Sequence, residues 1–186
     1  MEADWSVEVG ADLPAIVVPW EGFVDLRPNP LLAHDLTETA RAPMLAQSLI
    51  RLNQESSPVF TSKCDFWALS ADGIDPLEFG AVLKDAKEGI ACYVDVIARN
   101  RTIFASFEAH EAWVQIATNE MRKVKMPHAR TEFVVRPSTV DEREGYALTL
   151  YVMSCGATQE AASSVFDDAL MAAVTITMEK AAITGE

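Results

Sequence analysis

Three features of the sequence predict an α+β fold. Short runs that alternate apolar and polar residues recur along the chain, and stretches with three- and four-residue apolar spacing separate them. The strand-like runs follow one another across hairpin-scale loops, without a helix between every pair. The expected order is a short strand followed by β-α-β-β-α-β-β-α. That order gives an antiparallel or mixed sheet of about five to six strands with about three helices on one face. No linker is long enough to divide the chain, so residues 1–186 are read as a single α+β domain. A chain of this length hides about 70 % of its unfolded surface, and needs neither a disulfide nor a structural metal to fold.

Trp5–Val9 alternates as a short strand, and Gly10–Pro14 reads as a turn. Ala15–Arg27 is rich in β-formers, but Pro19 and Gly22 restrict it to an edge strand or a bulge. Asn29-Pro30 reads as an N-cap with proline at the first helical position, opening a helical stretch to about Asn53 that restarts at Pro43. Val59–Ser70 is a strand with Phe60, Cys64, Phe66 and Ala68 on one face and Thr61, Lys63, Asp65 and Trp67 on the other. A short helix is expected over Pro76–Leu83. Ile90–Arg99 is a strand with Tyr93, Asp95, Ile97 and Arg99 on its more polar face. Ser106 caps a helix whose apolar residues run from Ala109 to Val124, and Pro127 ends it. Arg130–Arg136 is a strand, Pro137–Gly145 a polar loop, and Tyr146–Cys155 a central strand apolar on nearly both faces. Thr158 caps a last helix that crosses the sheet, and the tail from Ile183 to Glu186 is expected to fray.

A faint internal echo links Phe23–Leu26, a helix and Cys64–Phe66 with Tyr93–Val96, a helix and Thr131–Phe133. Two such β-α-β units would form a ferredoxin-like sandwich with an extra strand and helix.

Asp and Glu number 28 against 15 Lys and Arg, a net charge of −13. That field repels nucleic acid and anionic membranes, so neither is expected as a partner. The charge is uneven. Glu2, Asp4, Glu8, Asp12, Glu21, Asp25 and Asp35 crowd the first 35 residues, where Arg27 is the one cation. Residues 122–136 hold Arg122, Lys123, Lys125, Arg130 and Arg136, a stretch that suits either a solvated helix end or an anion site. Cys64, Cys92 and Cys155 each lie in an apolar run and read as reduced core thiols, which points to the cytoplasm. The start Met1–Asp4 lacks the basic and apolar regions of a signal peptide, and no apolar run is long enough for a membrane span.

Contiguous chemical motifs are absent: no phosphate-binding P-loop, dinucleotide glycine turn or nucleophile elbow occurs. His110-Glu111-Ala112-Trp113-Val114 begins like a zinc-protease helix but has valine where the second ligand must stand. No metal and no cofactor are therefore expected. The candidate acid–base residues are His110, flanked by Glu108 and Glu111, and the pair Asp65 and Asp95 on neighbouring strands. Lys63, Trp67, Tyr93, Arg99 and Arg136 would share or border that polar sheet face and are the candidate ligand-binding residues. An exposed sheet face laced with ion pairs would have the same composition.

These residues favour a binding or interaction domain that forms a homodimer through an open sheet face. One alternative is an enzyme for a small organic substrate, with His110 or Asp65/Asp95 as acid or base. Another is a regulatory subunit that docks a basic partner on its acidic surface.

Overall fold

The computed structural model describes residues 1–10 and 15–183. Most of the expected turn at Gly10–Pro14, and residues 184–186 of the tail, lie outside the described residues. The chain is an α+β fold built on a mixed sheet of six strands. The strands are β1 (Glu2–Val7), β2 (Ile16–Val18), β3 (Val59–Leu69), β4 (Glu88–Ala98), β5 (Ala129–Val140) and β6 (Arg143–Gly156). The helices are α1 (Pro43–Asn53), α2 (Arg101–Ala105), α3 (Phe107–Lys123) and α4 (Gln159–Ile183). The strand order is β1-β5-β6-β4-β3, with β1 and β2 both parallel to β5 and every other pairing antiparallel.

Local signals place most of these elements. Two 3-10 turns, Pro30–Asp35 and Thr37–Arg41, precede α1, which starts at Pro43. Proline lacks an N–H, and at the first turn of a helix none is needed. The Ser106 Oγ accepts from Ala109 N–H at 3.1 Å and caps α3. In the same way Thr158 Oγ1 accepts from Ala161 N–H at 3.2 Å at the start of α4. The expected helix at Pro76–Leu83 is a 3-10 turn over Pro76–Phe79.

The stretch Pro137–Gly145 is mostly strand rather than loop. β5 runs on to Val140, and Asp141-Glu142 alone make the turn into β6, both with positive φ. That backbone matches the twist of a hairpin, although it lacks the glycine that usually signals it. Pro137 is tolerated because β5 is unpaired on its outer edge at that point: β1 ends opposite Val135 and β2 begins opposite Ser138.

One face of the sheet carries the main core. Cys92, Val94 and Val96 of β4, Phe133 and Val135 of β5, and Leu148, Leu150 and Val152 of β6 are buried there. Leu45, Leu49 and Leu52 of α1, Trp113 and Met121 of α3, and Phe166, Leu170 and Val174 of α4 close over them. Each such side chain contributes roughly 1.5–3 kcal/mol when fully buried. The Trp113 Nε1–H donates to Thr177 O at 3.0 Å, tying α3 to α4. Among the described residues, α4 has the length and apolar composition of a membrane span, and its stripe from Ala162 to Ala173 lies buried on the sheet.

Two further expectations change. A β-bulge between Thr61 and Cys64 shifts the register of β3, so Thr61 rather than Phe60 shares a face with Cys64. Phe60 instead lies opposite Ile97 on the other face. Of the two echoed β-α-β units, β4-α3-β5 exists, with β6 inserted between its strands. The first does not, because Phe23–Leu26 is not a strand.

Candidate functional site

The face of the sheet opposite the main core is closed at its two ends and open in the middle. At one end, Ile16 and Val18 of β2 pack with Phe60, Ile97, Ala147 and the Phe104 of α2. At the other, the connection between β3 and β4 lays Ile74, Phe79 and Ala86 against Cys155, Leu69 and Met153.

Between these ends lies a row of rings. Trp67 and Tyr93 have centroids 6.4 Å apart, and Tyr93 and Tyr151 5.9 Å apart. The spacing follows from register, since Tyr93 and Tyr151 face each other across β4 and β6. All three rings are half-buried, and none belongs to the core under the helices. Beside them sits Asp95, only 4 % exposed, whose Oδ1 accepts from Thr149 Oγ1–H at 2.7 Å. Burial pushes the Asp95 carboxyl above the usual range, and the Thr149 bond and the charges of Arg136 and Lys63 only partly oppose it. Tyr93 is pushed up to about 12, first by burial and then by the charges of Asp95 and Asp65.

Polar groups around the row find partners within the chain. Arg136 pairs with Glu8 at 2.8 Å and reaches Tyr151 Oη at 3.4 Å. The Lys63 ammonium stands 4.8 Å from the centroid of Trp20. Arg130 binds Glu78 and lies 3.6 Å from Glu132. Two residues of the basic stretch meet the acidic N-terminal segment, Arg136 at Glu8 and Arg122, which donates to Ala3 O at 2.8 Å and lies 3.6 Å from Asp4, while Lys123 pairs with Glu120 of its own helix. Glu8 follows β1, and the parallel pairing of β1 with β5 brings it beside Arg136.

The structure sorts the other candidates. Asp65 shares the open face but is exposed, and accepts from its own neighbour, Phe66 N–H, at 2.7 Å. Arg99 lies beyond the row and donates to the carbonyls of Val59, Asn53 and Gln54 at 2.9, 3.1 and 3.3 Å. His110 is on the opposite side of the sheet from both aspartates and fully buried. Its Nδ1 lies 2.9 Å from Ser106 O, its ring packs on Trp113 and Tyr146, and its Nε2 has no partner. Burial pushes its pKa below the ordinary 6.5, with the Ser106 and Ile103 carbonyls opposing. His110, Asp65 and Asp95 do not converge.

The cysteines are unpaired, and burial pushes all three thiols up, Cys64 to about 12 and Cys155 to about 11. Among the described residues no three His, Cys, Asp or Glu side chains gather as a metal site would require. Thr149, Tyr151 and Met153 were missed in the sequence because β6 reads as apolar throughout. The signal available was their two-residue spacing opposite Leu148, Leu150 and Val152.

Neither a protein-family model, nor a curated protein, nor a solved structure matches the chain.

Proposed function

We propose that this protein is a binding module whose open sheet face takes a second copy of the same chain, forming a homodimer in a reducing, cytoplasmic setting. The observation that carries the proposal is the half-exposed Trp67–Tyr93–Tyr151 row in the middle of a sheet whose other face packs on α1, α3 and α4. Aromatic rings with polar tips are the side chains that interfaces favour.

Charge favours a second copy over a strongly charged partner. Two chains at −13 repel each other except where acids are locally balanced. On this face Lys63, Arg130 and Arg136 are interspersed with Asp65, Asp95 and Glu132, and Arg130 and Arg136 are also paired with Glu78 and Glu8. Edge-to-edge pairing is disfavoured, because the exposed edge of β3 carries the bulge and Lys63. The test is a Trp67→Ala/Tyr151→Ala variant: it should be monomeric under conditions where the parent chemically cross-links as a dimer. Unchanged cross-linking in the variant would remove the face from the interface.

A second reading, an acid–base enzyme, has one observation in its favour: the burial and raised pKa of Asp95. Native mass spectrometry supports it if a small molecule co-purifies with the parent and is lost from Asp95→Asn.

A further inference from the structure

A cavity of about 350 Å³ opens at the end of the sheet where β4 leads into α2 and the β5–β6 hairpin turns. Its floor is apolar, made by Phe60 and Ile97 of the sheet and Phe104 of α2. Phe104 lies there because residue 145 is glycine: a methyl group at that position would sit 2.5 Å from the Phe104 ring.

Four guanidinium groups, from Arg27, Arg99, Arg101 and Arg143, stand around this floor, with Asp141 as the one carboxylate in the lining among the described residues. Two are anchored. Arg27 is forked onto Asp25 through Nε and Nη2, both at 2.8 Å, with its guanidinium carbon 4.6 Å from the Phe60 centroid. Arg99 is held by backbone carbonyls and lies 5.8 Å from the same ring. Among the described residues, the Nη1 group of each has no acceptor. The other two, Arg101 and Arg143, are exposed and have no ion pair or hydrogen bond among the described residues.

Like charges gathered in this way repel one another, and burial together with the charge of Arg27 pushes the Arg99 pKa down. Guanidinium groups with free N–H donors match the geometry of carboxylate and phosphate, and their flat faces stack on aromatic rings. The volume lies within the roughly 300–1,000 Å³ of small-molecule sites. A long polyanion would meet the field of the −13 chain, whereas a small anion inside the cleft is dominated by charges closer than a Debye length of about 8 Å.

We propose that this cleft binds a small oxyanion, carboxylate or phosphate, on a flat apolar body, the body lying on Phe60 and Phe104 and the anion among Arg99, Arg101 and Arg143. The site is separate from the aromatic row, so its fate and that of the dimer are independent.

The test is an NMR titration of the full chain with phenyl phosphate, phenylacetate and benzyl alcohol at low salt, following the amides of residues 97–104 and 140–145. At least one anion should bind with a Kd of about 1 mM or tighter, and benzyl alcohol should bind at least about tenfold more weakly. Preference for phenyl phosphate assigns a phosphate ligand, and preference for phenylacetate a carboxylate. The Arg101→Glu/Arg143→Glu variant should keep the parent's Tm, since neither side chain has a partner to lose, and weaken the preferred anion at least about tenfold. The proposal is overturned if benzyl alcohol binds as tightly as the anions, if the variant binds as the parent does, or if no anion shifts these amides at about 10 mM.

Discussion

The two faces of the sheet are made by the same strands and do opposite things. On the helix side, Phe133, Leu150 and Val152 are fully buried and nothing polar is asked of them. One residue along, on the other side, Glu132, Tyr151 and Met153 are half-exposed. Besides a buried thiol, each face hides a titratable group of a different kind, His110 among aromatic rings on the first and Asp95 beside Thr149 on the second. The helix face therefore holds the fold together, while the open face keeps polar and aromatic groups available at some cost to stability.

The largest effect should separate the faces by mutation. Phe133→Ala is expected to lose about 3–5 kcal/mol in urea unfolding, the range for a large core aromatic. Tyr151→Ala, on the neighbouring strand but the opposite face, should lose roughly 1 kcal/mol, as expected for a half-exposed side chain. Equal losses would break the distinction between the two faces.

The buried titratable groups should give opposite pH signatures. Asp95 has its pKa raised in the fold, so its contribution is fully present below the unfolded value of 3.8 and is lost as pH rises through the folded value. At neutral pH Asp95→Asn should stabilise the protein by roughly 1 kcal/mol while keeping an acceptor for Thr149. A destabilised variant would show that the charge is well solvated in place. His110 has its pKa lowered, so its contribution is present above 6.5 and is lost as pH falls toward the folded value. Unfolding free energies compared at about pH 7.5 and pH 5 should fall in the parent more than in His110→Gln. Equal acid sensitivity would mean that the imidazole can protonate inside the fold.

The strands, the caps at Ser106 and Thr158 and the restart at Pro43 were legible in the sequence because each depends on a local signal. The face carrying Asp65, Trp67, Tyr93, Asp95 and Arg136 was also legible, since alternation survives in β3, β4 and β5. What failed depended on distant partners. The bulge that moves Phe60 is set by pairing with β4, and nothing beside Phe60 announces it. His110 stands out in the sequence as an acid–base candidate flanked by Glu108 and Glu111, yet its own direction on α3 is inward, onto Tyr146 of β6. The cluster of Arg27, Arg99, Arg101 and Arg143 joins three separate parts of the chain, and only Arg99 could be picked out beforehand.

The smallest effect concerns the thiols. With their pKa values raised, Cys64, Cys92 and Cys155 should react with Ellman's reagent at least about tenfold more slowly at pH 8 than in urea. A fast-reacting thiol in the native protein would mean that one face opens readily.

The most direct measurement is the mass of the native parent chain by sedimentation equilibrium, from low micromolar concentration upward and at low and physiological salt. A dimer mass is expected, at both salt concentrations, because the contact is aromatic and its arginines are already paired within the chain. A mass that stays at 20.4 kDa throughout would contradict the proposal that the open face is where this chain meets its own copy.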